Sequence, residues 1–144
     1  MNGGTIMKIV MYKKTIAVLV FVLLISLISL SGRYFYRNAK YREIIAGIMI
    51  ESPDLSKISN GVYDGSFDAI MNAADVSVTI HDHRITDIKI NNHKTVKGQQ
   101  AVRITDEVLS AQSLDVDTVT GATKSSLVIL KAIENAIEKG YGNQ

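Results

Sequence analysis

Thr120-Gly121-Ala122-Thr123, followed closely by Ser125 and Ser126, gathers hydroxyl groups around a single glycine in this 144-residue chain. These residues stand where a strand-like stretch containing Val116 and Val119 gives way to an apolar pattern of helical period. The first N–H groups of a helix have no intrahelical partner, and its dipole places about half a positive charge there. Such an end receives phosphate readily. Gly121 permits a positive φ or a close backbone approach, and Ala122 adds almost no bulk. The same residue types are also ordinary helix-capping chemistry, so the residues alone leave a phosphate-binding turn and a plain cap both open.

Other chemistries fit less well. A P-loop needs G-x-x-x-x-G-K-[ST], whereas Thr123 precedes Lys124 here and Gly121 has no glycine partner upstream at that spacing. His81, His83 and His93 are not spaced to serve as the base for a nucleophile or as a metal cluster, and no metal site is expected. The absence of cysteine removes disulfides, thiolate catalysis and iron–sulfur clusters. Asp106 and Glu107 read as a solvated helix face.

The elements that must position the turn can be read from periodicity. Gly61, Val62 and Tyr63, between Asn60-Gly61 and Asp64-Gly65, open the domain as a short strand. Residues 76–80 alternate with Val76, Val78 and Ile80 inward, Asp82-His83-Arg84 is a tight connection, and 85–90 returns with Ile88 and Ile90 inward. From Gln99 the period lengthens, and Ala101, Ile104, Val108 and Ala111 share one helical face. A second helix over 125–139 carries Ile129, Leu130, Ile133, Ala136 and Ile137, and Gly140 ends it. The class is α+β: an N-terminal transmembrane helix, then a small, mainly antiparallel sheet with two packed helices.

Residues 16–30, IAVLVFVLLISLISL, carry no charge. Thr15 to Ser31 is near the lower limit of the roughly 17–25 residues that cross a bilayer. Tyr12, Tyr34 and Tyr36 suit the interfaces, and basic residues stand on both sides (Lys8, Lys13 and Lys14; Arg33, Arg37, Lys40 and Arg42), so charge does not orient the span. An uncleaved anchor is favoured over a signal peptide cut near Ser29-Leu30-Ser31. Residues 1–32 are then the anchor, 33–59 a stalk whose helix runs over 33–50 and stops before Pro53, and 60–144 the soluble domain. Residues 1–60 hold eight Lys/Arg against three Asp/Glu, and 61–144 hold eight against eleven. The basic excess therefore lies at the lipid headgroups, and nucleic acid is not an expected partner.

Asp117-Thr118-Val119-Thr120-Gly121-Ala122-Thr123 resembles the D-x-x-[ST]-G-A-[ST] flavinylation motif of the FMN-binding domain family, which includes subunits of sodium-pumping NADH:quinone reductases and of Rnf complexes and small membrane-anchored flavin carriers. Asp64-Gly65-Ser66 after Gly61-Val62-Tyr63, and VTIHDHRITDIKI followed by Asn92-His93-Lys94-Thr95, are similar to the family's opening motif and central hairpin, so the likeness covers about residues 60–139. It implies FMN joined by a phosphoester to Thr123 by a flavin transferase that uses FAD and Mg²⁺. Asp117 would serve transferase recognition, and Thr120, Gly121, Ala122, Ser125 and Ser126 would hold the cofactor. It further implies a single-pass protein of the cell membrane, with an extracytoplasmic electron-carrying domain served by a membrane redox partner such as a quinone-linked dehydrogenase. Departures are Asp82-His83-Arg84, where the family has Asp-Gly-Lys, the shifted second glycine of the opening motif, and the basic Lys124. A tethered non-redox module that binds a phosphate ligand or a protein noncovalently is the alternative. An independent reductase would need a nicotinamide fingerprint that no glycine pattern here supplies.

Overall fold

The computed structural model describes residues 3–95 and 98–143. They divide into two compact units, one within residues 1–38 and the other within 39–144.

The first unit lies on helix α1 (Gly3–Ala46), which is long and apolar enough to cross a membrane. Over residues 11–37 its apolar side chains face outward all round: Leu19, Phe21 and Ile28 are 68%, 64% and 71% exposed, and none of the most apolar stretch is buried within the protein. A helical stretch that is apolar on every side, with none of it buried among the described residues, is suited to lipid rather than to a protein core. The Lys8 side chain lies outside the described residues.

The second unit begins with the last turns of α1, from Ala39. The expected helix over 33–50 stops sooner, at Ala46, where the Gly47 N–H closes onto the Glu43 and Ile44 carbonyls and the chain leaves extended. Three antiparallel strands follow in the order β1 (Gly61–Asp68), β2 (Ala73–His81) and β3 (Arg84–Lys94). In β2 the alternation read from sequence holds, with Val76, Val78 and Ile80 inside and Ser77 and Thr79 half-buried on the other face. The hairpin between β2 and β3 turns on Asp82 and His83, at φ 49° and 59°, the positive values that a two-residue turn of the primed kind requires. Histidine occupies that region more readily than bulky or branched residues do.

One face of the sheet is covered by helices. A 3-10 turn (Gln99–Arg103) leads into α2 (Ile104–Ala111), which buries Ile104 and Val108 but leaves Ala111 exposed. Helix α3 (Thr123–Glu138) packs on β1 and β2 and buries Val128, Ile129, Leu130, Ala132, Ile133, Ala136 and Ile137. Its approach to β1 is close. A Cβ at Gly65 would lie 2.2 Å from the Ala132 carbonyl oxygen and 2.4 Å from the Ala136 nitrogen. Glycine at that place in the opening motif therefore serves strand-to-helix contact.

Both edge strands carry side-chain caps. The Asp64 carbonyl of β1 accepts from Lys139 Nζ, just past the end of α3, and the Ser66 carbonyl from Asn135 Nδ2 of α3. At β3, Gln112 uses its amide as a short strand would: Oε1 accepts from the Ile85 N–H at 2.9 Å and Nε2 donates to the Ile85 carbonyl at 2.9 Å. Gln112 ends α2 in the left-handed conformation, at φ 54°.

Candidate functional site: the turn at the start of α3

The sequence from Val119 to Ser126 builds one turn of chain and the opening of a helix. The Ala122 N–H bonds the Val119 carbonyl at 2.9 Å, and Gly121 takes φ +78° in that turn, a value open to glycine at no steric cost. Gln100 Nε2 braces the turn by donating to the Thr120 carbonyl at 3.0 Å. The first α-helical bond runs from the Ser126 N–H to the Ala122 carbonyl at 2.9 Å.

Thr123 is the first residue of α3, and the capping position falls to Ala122, which has no side-chain acceptor. The first turn of α3 holds no acidic residue, and Lys124 adds a cation at the positive end of the helix dipole. A plain cap would place an oxygen acceptor at this position and favour a carboxylate nearby. Here the N–H groups opening α3 have no side-chain cap, and Thr120, Gly121, Thr123 and Lys124 are all exposed. The donor set therefore fits an anionic phosphate beside Thr123: backbone donors without a side-chain cap, a glycine hinge, an exposed threonine and a cation. Thr118 Oγ1 lies 3.4 Å from Thr123 Oγ1, a long contact between the two hydroxyls.

The remaining residues expected at the site are distributed around it. Ser125 and Ser126 are buried, and their hydroxyls are engaged inside the protein. Ser126 Oγ accepts from the Val119 N–H at 3.1 Å, which ties the turn to the helix. Ser125 Oγ accepts from Asn72 Nδ2 at 3.1 Å and shares a hydrogen bond with Thr95 Oγ1 at 2.9 Å. Asp117 is exposed and lines an open groove of about 700 Å³ together with Arg103, Asp106, Glu107, Asp115 and residues 116–120. Asp106 and Glu107, expected on a solvated face, thus border the same groove as the motif.

Several neighbours carry no pattern that periodicity detects. Asn72 Nδ2 also donates to the Tyr41 hydroxyl at 3.0 Å, bringing a residue from the end of α1 to the site. Gly98 lies against Ser125, where a Cβ would come within 2.1 Å of its Oγ. Ile70, in the connection between β1 and β2, has φ 68°, and the Met71 N–H bonds the Ala69 carbonyl across it at 2.7 Å. That strained three-residue turn in a β-branched residue delivers Asn72 to Ser125.

The histidines divide as follows. His81 pairs with Asp82 at 3.1 Å on the surface, and His83 Nδ1 lies 3.3 Å from the Leu55 carbonyl. His93 stands beside buried Ala74 in register, and both its ring nitrogens are buried without a hydrogen-bond partner among the described residues. Burial holds its pKa below the usual histidine range. Among the described residues no group of three His, Cys, Asp or Glu side chains converges as a metal site would require.

Comparison with known proteins agrees with this geometry. Residues 71–138 match the FMN-binding domain family, a stretch that holds β2, β3, the Thr120–Thr123 turn and α3. The chain is also similar to an NADH:acrylate oxidoreductase of Vibrio harveyi, with 34% identity over 71 residues, 47% of this chain. It spans only 7% of that relative's length. The uncapped, cation-bearing helix start behind the T-G-A-T turn thus lies inside the stretch of the chain that matches the FMN-binding domain family.

Proposed function

We propose that the protein is a membrane-anchored, extracytoplasmic electron carrier with FMN held by a phosphoester to Thr123. The observation that carries this reading is the exposed Thr123 hydroxyl at an uncapped helix start, inside D-x-x-T-G-A-T, in an FMN-binding domain. FMN, when bound, supplies the redox chemistry. The chain's own residues supply attachment and surroundings.

In the attachment step Thr123 Oγ1 forms a bond to the phosphorus of the FMN half of FAD. The pyrophosphate P–O bond breaks, AMP leaves, and the hydroxyl proton passes to a base on the transferase. Asp117, exposed six residues before Thr123, presents a carboxylate to that enzyme and its Mg²⁺. Gly121 keeps the turn open to approach, and Ala122, 4% exposed, anchors it without adding bulk at the surface. The N–H groups that open α3 would then hold the phosphate, and the Lys124 charge would offset its anion. Thr120 supplies a further hydroxyl at the rim. Ser125 and Ser126 support the turn from within rather than by direct phosphate contact.

Covalent linkage suits a carrier outside the cell, because a dissociable cofactor lost there is not recovered. The apolar helix would keep the domain near a membrane redox partner, such as a quinone-linked dehydrogenase.

The test is intact mass of the denatured full-length protein after coexpression with a flavin transferase. The expected gain is one FMN less one water, present in the native chain and in Thr123→Ser and absent in Thr123→Ala. No gain in the native chain, with the transferase active on a control substrate, would refute attachment and favour a noncovalent phosphate-binding or protein-binding module.

A further inference from the structure

Tyr41 lies thirty residues before the family-matched stretch, yet it meets Lys124 at the α3 start directly and the next residue, Ser125, through Asn72. Its side chain is almost wholly buried, 7% exposed. Lys124 Nζ sits 5.4 Å from the centroid of its ring, within the range of a cation–π contact. Its hydroxyl accepts from Asn72 Nδ2, and the same amide donates to Ser125 Oγ. Ser125 is locked from the far side by Thr95 and by the close approach of Gly98.

Lys124 is the feature that most needs an explanation. A lysine in the first turn of a helix opposes the dipole, and a free ammonium would turn into solvent. Here an aromatic face holds it over the protein instead. Thr123 precedes Lys124 directly, so an ammonium held there adds positive charge at the residue that bears the phosphoester.

We infer that Tyr41 is a positioning residue of the flavin site: its ring holds Lys124 as counter-charge to the phosphoester at Thr123, and its hydroxyl fixes the first turn of α3 through Asn72 and Ser125. This rests on attachment at Thr123. Its consequence is that a residue of the segment leading in from the anchor sets how firmly the flavin is held and how readily it accepts electrons. A nearby cation favours the more negative, reduced form. Releasing Lys124 from the ring lowers that preference, whereas losing the Tyr41 hydroxyl alone loosens the turn and leaves the charge in place.

The experiment uses the flavinylated full-length protein in detergent, with attachment verified by mass. Tyr41→Leu, Tyr41→Phe and Lys124→Gln are compared with Ile58→Ala, a change at a core residue, 1% exposed, that is distant in sequence from the motif. Flavin fluorescence anisotropy and two-electron midpoint potential are measured below every melting temperature. Tyr41→Leu and Lys124→Gln are expected to shift the reduced-to-oxidised ratio about two- to tenfold toward oxidised, a tenfold shift being about 30 mV. Tyr41→Phe is expected to lower anisotropy with the potential held, and Ile58→Ala to change neither. If Tyr41→Leu does not fold, Lys124→Gln and Tyr41→Phe decide. Native potential and native anisotropy in those variants would overturn the inference. Absence of the mass gain in the native chain would instead remove the attachment on which it rests.

Discussion

Replacing Gly65 by alanine tests the closest helix-to-sheet contact in the domain. The added Cβ would stand 2.2 Å from the Ala132 carbonyl oxygen, 2.4 Å from the Ala136 nitrogen and 2.7 Å from the Ala136 Cβ. Ordinary contact begins near 3.4 Å, so β1 and α3 must part by about 1.2 Å. Two of the three obstacles are backbone atoms and cannot rotate away. Separating these elements also loosens Val128, Ile129 and Ile133, each 0% exposed. Overpacking a core costs about 1–3 kcal/mol when side chains can adjust, and rigid backbone puts this case at about 3 kcal/mol. For a domain of this size that corresponds to a fall of roughly 12–24 °C in melting temperature. The assay is a thermal melt of the full-length protein in detergent, followed by near-ultraviolet tyrosine circular dichroism. Gly32→Ala is the control, since a Cβ there meets nothing within 4 Å, and the domain should melt as before. A Gly65→Ala domain melting within about 4 °C of the native one, a loss under about 1 kcal/mol, would refute the claim that this approach is rigid.

Glu134 is buried on α3, paired with Lys131 at 2.6 Å and accepting from the Glu51 N–H at 3.1 Å. Glu134→Ala leaves the Glu51 N–H without its acceptor and Lys131, which keeps its bond to the Met49 carbonyl, without its counter-charge; it should cost about 2–4 kcal/mol by urea unfolding, with Glu134→Gln, which keeps an acceptor, costing less. Ile70→Asn should raise stability by about 1 kcal/mol in the same assay, because asparagine tolerates the positive φ that strains a β-branched residue. His93 has its folded pKa held below the unfolded value, so the unfolded chain binds the proton first as pH falls. Stability should therefore be full above the ordinary histidine pKa and decline as pH drops below it, and His93→Phe should flatten that decline in melts taken across the range.

What was legible in the sequence is what depends on neighbours along the chain. The alternation of Val76, Val78 and Ile80, and the stripe from Ile129 to Ile137, follow directly from period, and both are buried as expected. The glycine in the T-G-A-T turn was legible because only a few residue types accept its φ. Helix ends were less so. The α1 helix stops at Ala46 and not at residue 50, because Gly47 closes the last turn, and the stretch from Gln99 begins as a 3-10 turn before α2. The roles of Ser125 and Ser126 were not legible either. A hydroxyl early in a helix can face a ligand or the interior, and Asn72, 53 residues away from Ser125, decides the matter. Tyr41 is farther still in sequence from α3, and no local pattern marks it.

The side-chain caps on β1 and β3 bear on how such a domain would live at a membrane. Anchored copies are confined to a surface, where encounters between identical neighbours are frequent. Bare strand edges would turn such encounters into sheet-to-sheet pairing. Asn135 and Lys139 occupy carbonyls of β1, and the Gln112 amide occupies both backbone groups of Ile85 on β3. Collisions along these edges thus find fewer free hydrogen-bonding groups to capture, so contacts between neighbours stay brief. Brief contact is what a carrier needs if it is to hand over an electron and leave.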